Sequence, residues 1–594
     1  MPRNEFDLPI GADTLPGLLA ERAQRTPANP AQWALGQGGM WRATSWRGYF
    51  DAASHAAALL RTLGLKPGDR IGIMAPTSVE WDIVQMGALA AGATVVGIDA
   101  HEHDARLAEM LDMTHLTALV VSEEGMVSRL PRAARDRLRF VISLAPVTNA
   151  FGIIHWGTLM AGVLAGAEWA NQATPAGQAL IIFTSGTTGA PKAIAYTHRQ
   201  VCLACSSILE AFSAFEAGSR LACWLPLSNL FQRMINFCAI ARSGETYYIT
   251  DPRDIMLHVP RIAPQVFVAV PRFYEKFYAG IQARMKSGPR WRRWLFDMAM
   301  NNARALCVTH RTGSRRSLLR RLAHTPLNAL VLRRVRTVLG GQIRFLVSGS
   351  APMPNWLLEN FDALGMPVYE AYGLSENIVP ISVNRPSAHR LGSVGKPLRH
   401  NEIRIAGDGE LLVRGAGVFS GYLGEPPAAR TAEGYFPTGD YAQQDADGFI
   451  ILTGRKSDIF KTSTGRRIAP VGIETRIIQL PYVERAVVLG ANRPFLIVII
   501  WVASEQFAAE GGLQQAAVRI QADVCAAVAE LPDYQQPAGL ICSGRLPTIE
   551  RSELTPNLKL RRKQIEANYT AEIEQIYNML QNQSENNSIV VIPE

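Results

Sequence analysis

The sequence predicts an α/β protein, and three features predict it. Short apolar runs alternate with helical stretches over roughly the first 350 residues, Gly-rich turns separate short strands after about Asn401, and mixed strands and helices return from about Asp458. The expected architecture is a large N-terminal domain of parallel and mixed sheets flanked by helices, with a small β-barrel-like part. A smaller α+β region follows it from about Asp458.

The elements follow in order. TLPGLLAERAQRT is amphipathic, and SWRGYFDAASHAAALLRTLGL has apolar residues at helical spacing and stops at Gly64. RIGIMAP reads as a strand closed by Pro76, VEWDIVQMGALAAG as a helix, and TVVGID as the next strand. LTALVVSEE, RFVISL, ALIIFTSG, RLACWLPL, GETYYIT, QVFVAVPR and QIRFLVSGS continue the strands. Between Arg284 and Arg344 the pattern turns long, helical and rich in arginine. IRIAGDGELLVRG and GFIILTGR are strands with glycine turns. The last region has strands AVVLG and FLIVIIWVA and helices LQQAAVRIQADVCAAVAEL and RRKQIEANYTAEIEQIYNMLQ. The apolar run AVVLGANRPFLIVIIWVA is broken by Arg493 and Pro494, so it reads as two buried strands around a turn. No run reaches the ~18 apolar residues of a spanning helix. The tail QNQSENNSIVVIPE starts polar and reads as frayed, with VVI able to dock. There is no fixed-period repeat.

Composition narrows the class. Of 594 residues, 48% are apolar and 19% charged, which supports a buried core and excludes a disordered chain. Seven cysteines are too sparse for a disulfide framework and suit a reducing compartment. Cys202-Leu-Ala-Cys205 lies in an apolar helical stretch without a second pair, so it reads as core packing. The first residues lack the pattern of a signal peptide. The expected location is the cytoplasm, with the inner face of a membrane as a further expectation. The net charge of +9 is local: residues 284–344 hold fifteen basic side chains against one acid, Asp297, and the remainder is acidic. Trp291, Trp294, Leu295 and Phe296 interleave with these cations. The segment reads as a contact for anionic lipid, with an acidic carrier protein or a plain solvated face as the other readings and nucleic acid disfavoured.

Chemistry concentrates in a few strings. Thr184-Ser-Gly-Thr-Thr-Gly-Ala-Pro-Lys192 follows the apolar run Leu180–Phe183. Gly186 and Gly189 permit close backbone approach, Ser185, Thr187 and Thr188 offer hydroxyls, and Lys192 adds a cation, a combination suited to phosphate. It is not a G-x-x-x-x-G-K-[ST] loop, and a polar surface turn is the alternative.

With that string the chain resembles the acyl-adenylate-forming superfamily of acyl-CoA synthetases, peptide-synthetase adenylation domains and luciferases. Five further strings follow in the family's order: Ser348-Gly-Ser-Ala-Pro352, Tyr369-Glu-Ala-Tyr-Gly-Leu-Ser-Glu376, Pro437-Thr-Gly-Asp440, Gly454-Arg-Lys-Ser-Asp-Ile-Phe-Lys461, and Leu554-Thr-Pro-Asn-Leu-Lys559. The resemblance implies an adenine-side loop at Gly349, Ser350 and Ala351. It implies a stacking face at Tyr372, with Gly373 and Ser375 beside it. It makes Glu376 a magnesium ligand together with Thr184, Asp440 a ribose acceptor, and Arg455 a ribose or phosphate contact. Lys559, Glu376 and Lys192 become catalytic residues, Ser457 the hinge between domains 1–456 and 457–594, of which the second is implied to be mobile, and Gly465 part of the thiol's approach. The implied cofactors and cosubstrates are Mg²⁺, ATP and CoA.

These types suit the chemistry. A carboxylate oxygen is a hard ligand for Mg²⁺, an ionised aspartate can accept from two hydroxyls, and a mobile lysine can stabilise a charged phosphoryl transition state. LTPNLKLRR, FKTSTGRRIAPVGIE and the segments 265–276 and 490–495 resemble the long-chain fatty acyl-CoA synthetase branch. Trp224, Asn229 and Leu230 flank the expected acid pocket, alongside Leu225 and Phe231. The chain departs from that pattern at Asn229 (commonly His), Gln232 (commonly Glu), Ala193 (commonly Gly), Ser457 (commonly Asp or Lys) and Asn377 (often Thr). A carrier-protein ligase, an aryl-acid ligase and a binding pseudoenzyme are the alternatives.

Overall fold

The computed structural model describes residues 12–593 except 37, 149–151, 163–170, 185–190, 312–317, 504–506, 508–510, 549, 555–559 and 582–588. Two sheets build the large domain. One has nine strands, ordered Lys396–Pro397, Asn377–Val383, Val368–Leu374, Phe345–Ser348, Val266–Ala269, Arg220–Cys223, Glu245–Tyr248, Pro30–Leu35 and Trp41–Ser45. Its interior pairs are parallel and its outer pairs antiparallel. The other has seven, ordered Ile153–His155, Phe140–Ser143, Ala118–Val121, Arg70–Met74, Thr94–Ile98, Gln178–Phe183 and Ala193–Thr197. Only its last pair is antiparallel. Thr94–Ile98, Ala118–Val121, Val266–Ala269 and Phe345–Ser348 are buried along their whole length. Strands covered on both faces read as continuous apolar runs, which is how the sequence shows them.

Helices fill the layers around these sheets. Val79–Ala90 buries nine of its twelve residues and crosses Trp46–Thr62 closely. A Cβ at Gly87 would lie 2.7 Å from the Ala56 side chain, so only glycine fits that crossing. Trp46–Thr62 is capped by Ser45, whose hydroxyl accepts from Gly48 N, and the chain leaves it through Gly64 at φ +96°. Cys202 and Cys205 are buried in helix His198–Ala211, and burial pushes the Cys202 thiol well above its ordinary range, as core packing requires. Among the described residues no helix is long and apolar enough to cross a membrane.

The part expected to resemble a barrel is an open meander of four antiparallel strands, Glu402–Ile405, Glu410–Arg414, Phe436–Gln444 and Ile450–Arg455. Its register pairs neighbours in order, so the two outer strands remain edges. Beyond it the smaller domain has a sheet of Val483–Leu489, Ile497–Val502, Gly539–Ser543 and Ile589–Ile592 with its own core. The expected turn around Arg493 and Pro494 joins the first two strands. The end of the chain is not frayed throughout: Ile589–Ile592 pairs in parallel with Gly539–Ser543.

Candidate active site

Ligands in open α/β sheets bind beyond the carboxyl ends of parallel strands, and the 184–192, 348–352 and 369–376 strings follow or end such strands. Strand Phe345–Ser348 leads into Gly349, Ser350 and Ala351, and Ser350 takes φ +74°, a region that strains a non-glycine residue. The loop is tied down from the neighbouring strand: Met353 N donates to Glu370 Oε1 at 3.0 Å. Glu370 is buried without a cation, and burial pushes its carboxyl up to about 7. The Ser348 hydroxyl at the strand end is buried with no partner among the described residues.

One strand further along, Tyr372 O–H donates to Asp440 Oδ2 at 2.6 Å, and Arg455 Nε lies 3.1 Å from Asp440 Oδ1. Asp440 and Arg455 face each other across the meander, so this triad joins the meander to the nine-stranded sheet. Burial, reinforced by Asp440, pushes the Tyr372 phenol upward and keeps it a donor. Gly439 N and Lys456 Nζ both reach Glu410, at 3.0 and 2.6 Å, and fix the turn that carries Asp440.

Glu376 occupies the turn between Val368–Leu374 and Asn377–Val383. Two contacts hold that turn: Tyr196 O–H donates to Ser375 O at 2.5 Å, and Phe419 N donates to Glu376 O at 2.9 Å. Tyr422 O–H donates to Glu376 Oε1 at 2.7 Å. The ring of Tyr422 lies under Lys192, whose ammonium is 4.4 Å from its centroid and 3.1 Å from Glu425. Thr184 N donates to Lys192 O at 2.9 Å, and Arg106 donates to Thr184 O at 3.1 Å, so both ends of the phosphate string are fixed. Ser185, Gly186, Thr187, Thr188 and Gly189 lie outside the described residues, as does Lys559. Gly373 lies in the Tyr372 strand against Pro380, where a Cβ would meet Pro380 Cα at 3.5 Å.

The acid-side residues separate into roles. Trp224 is buried: its indole N–H donates to Val268 O at 3.0 Å and its ring stacks on Phe267 at 6.0 Å. Asn229 caps helix Leu230–Arg242, its Oδ1 accepting from Phe231 N at 3.2 Å, a position asparagine favours. Leu230 opens that helix half-buried, and the Phe231 ring lies 3.5 Å from where a Cβ would stand on Gly349. Gln232 donates to Asn236, Asn236 to Asp82, and Arg233 Nε to Gln85, all at 2.9–3.1 Å within the core. Arg233 is fully buried over Trp81, and burial pulls its guanidinium down to about 9 while raising Asp82. This network already balances one carboxylate with one cation. A glutamate at 232 would add an unpaired charge, which accounts for the glutamine.

Three other departures are equally local. Ala193 begins a strand with ordinary backbone angles and is buried, so glycine's freedom is not needed there. Asn377 donates to Asn401 Oδ1 at 2.9 Å. Ser457 bonds only its neighbour, Oγ to Asp458 Oδ1 at 3.1 Å. Gly465, at φ +80°, closes a turn onto Thr462 with open space where a Cβ would be.

Among the described residues no three His, Cys, Asp or Glu side chains cluster to cage a metal. Glu376 keeps a second carboxylate oxygen beyond the one Tyr422 engages. That fits Mg²⁺ shared with nucleotide phosphates, which uses one or two carboxylates. Sequence reading missed Tyr422, Glu370 and the Asp82–Arg233 network. Glu370 stood inside a quoted string, and Tyr422 carried no local signal.

A family model described as AMP-binding enzyme matches residues 19–423, and one described as AMP-binding enzyme C-terminal domain matches residues 457–581. Long-chain-fatty-acid–CoA ligase FadD15 of Mycobacterium bovis is 32% identical over 562 residues, covering 88% of this chain and 90% of its own. Long-chain-fatty-acid–CoA ligase ACSBG2 of Homo sapiens is 26% identical over 520 residues, 82% of this chain and 76% of its own. In fold, the chain superposes on the adenylation domain of a carboxylate reductase from Mycobacterium chelonae. The TM-score is 0.74, at 19% identity over 95% of this chain and 91% of the other. The anthranilate CoA ligase AuaEII in complex with anthranoyl-AMP gives a TM-score of 0.71 at 18% identity, with coverage of 93% and 96%.

Proposed function

The chain belongs to the AMP-binding enzyme family, and on that premise we propose that it is an AMP-forming ligase of the long-chain-fatty-acid–CoA type. The observation that carries this reading is the convergence of Tyr372, Asp440, Arg455, Glu376 and Lys192 at the strand ends. Relatives with FadD15's stated activity share 32% of the sequence over most of both chains.

The reaction has two halves. A carboxylate oxygen of the acid attacks the α-phosphorus of ATP, and pyrophosphate leaves. A thiolate of CoA then attacks the acyl carbonyl, and AMP leaves. Tyr372 and the 349–351 loop hold adenine. Asp440 exchanges its contacts with Tyr372 and Arg455 for the ribose hydroxyls. Thr184 through Gly189 and Lys192 take the phosphates. Mg²⁺, held by Glu376 with Thr184, would neutralise phosphate charge. Lys559 supplies the cation for the first half. Residues 1–456 form the adenylation domain and 457–594 the domain that turns about Ser457, bringing Gly465 to the thiol's path. A pyrophosphate-release panel over acids of graded chain length, followed by thioester formation with CoA or a holo-carrier, tests this. Long acids with CoA should win. Thioester on the carrier alone would favour a carrier-protein ligase, and preference for benzoates an aryl-acid ligase.

The basic segment is proposed as a contact for an anionic membrane. Part of its charge serves the fold: Arg304 bonds Asn360, Arg311 pairs with Asp362, Arg336 bonds Leu364 O, and Arg344 pairs with Glu216. Trp291 and Trp294, 61% and 64% exposed beside Arg290, Arg292 and Arg293 on helix Arg290–Arg311, are the surface that supports the reading. Vesicles with and without anionic lipid, tested against a Trp291→Ser/Trp294→Ser variant, decide it. Equal binding by both proteins would end it.

A further inference from the structure

The contacts of Tyr422 reach two groups that the function needs and that lie far from it in sequence. Its hydroxyl is on Glu376, 46 residues earlier, and its ring lies beneath Lys192, 230 residues earlier. The backbone around it is strapped to the same two places. Leu423 N donates to Ala193 O at 2.8 Å, next to Lys192, and Phe419 N donates to Glu376 O at 2.9 Å. Phe419 packs edge-on against Tyr422 at 5.0 Å and against Phe436 at 5.2 Å, which fixes the ring plane.

We propose that Tyr422 is a positioning residue that couples the two charged arms of the nucleotide site, its hydroxyl fixing the carboxylate of Glu376 and its ring seating the ammonium of Lys192. The proposal rests on the reading that Glu376 holds the metal and Lys192 the phosphates. A carboxylate free to rotate loses torsional entropy when it takes a cation. Tyr422 holds one oxygen and leaves the other to a cation, which is the role of a hydrogen-bonded outer partner of a metal ligand. The ring attracts the ammonium through its quadrupole without neutralising it. Lys192 can therefore leave Glu425 for a phosphate and keep the aromatic contact.

The two functions separate by substitution. Tyr422→Phe keeps the ring and removes the hydroxyl. Tyr422→Leu removes both. Equilibrium binding of Mn²⁺, read by its electron paramagnetic resonance in the presence of a non-hydrolysable ATP analogue, should weaken about tenfold in Tyr422→Phe. Binding of a fluorescent ATP analogue in EDTA should be unchanged in Tyr422→Phe and weaker in Tyr422→Leu. An unchanged thermal unfolding midpoint in both variants shows that the fold survives. Glu376→Gln separates the premise from the proposal. If it binds Mn²⁺ as the wild type does, the assignment of Glu376 fails. If it loses Mn²⁺ while Tyr422→Phe binds Mn²⁺ as tightly as the wild type, the role of Tyr422 is overturned.

Discussion

Two polar networks in the large domain use the same residue types for opposite ends. Beneath helix Leu230–Arg242, Asp82, Gln85, Gln232, Arg233 and Asn236 are all buried and bonded to one another. At the strand ends, Lys192, Glu425 and Arg455 are each nearly half exposed, and their partners are other charges. A buried pair is strongly destabilising to break, whereas a half-exposed pair contributes little and is easily exchanged. The first network suits a fixed interior that keeps its partners. The second suits groups that must trade protein partners for a ligand.

The sharpest test breaks the buried network. Arg233→Met removes the buried cation that offsets Asp82 and the donor to Gln85 Oε1, and should lower unfolding stability by about 3–5 kcal/mol in a denaturant titration, with KM for ATP nearly unchanged. The active side should fail in the reverse way. Lys559→Ala should remove about 3–4 kcal/mol of transition-state stabilisation from pyrophosphate release and leave Tm and the thioester half nearly intact. Equal loss in both halves would refute the assignment of Lys559.

Glu370 stands between the two cases, buried like the first network and serving the second. Its folded carboxyl titrates near 7 against an ordinary 4.5, so the fold favours its protonated form. That contribution is complete below about pH 4.5 and is lost as pH rises to about 7. Glu370→Gln keeps an acceptor for Met353 N, and should be neutral at pH 4 and stabilising at pH 8 by on the order of 3 kcal/mol. A parallel offset at both pH values would mean that the carboxyl does not titrate there. The smallest effect belongs to Glu425→Gln. Releasing Lys192 from a half-exposed pair should lower KM for Mg·ATP by less than about 1 kcal/mol equivalent, visible in initial rates.

The legible part of this molecule was whatever is written locally. Fully buried parallel strands such as Thr94–Ile98 appear as apolar runs, and the turn at Arg493 and Pro494 was visible because proline and charge interrupt one. The nucleotide strings were legible through their order along the chain. Contacts across long sequence separations were not. Nothing in Gly421-Tyr-Leu-Gly424 points to a carboxylate 46 residues away, because that pairing exists only once the turn before strand Asn377–Val383 meets the 418–423 segment. Trp224 is buried, and the bond of its indole N–H to Val268 O, 44 residues away, had no local signal either. The apolar VVI of the last residues had strand propensity, but its partner Gly539–Ser543 lies about 50 residues earlier.

The burial of the thiols has a practical side. Cys202, Cys205, Cys223, Cys238 and Cys542 are shut in the two cores, and Cys307 is half covered with its thiol pushed up by burial. Cys525 alone is exposed, on helix Leu513–Val528 of the smaller domain. A maleimide dye at neutral pH should therefore label the native protein at one place, without removing any cysteine. With a second dye on the nucleotide, that single label would report the distance between the domains through each turnover.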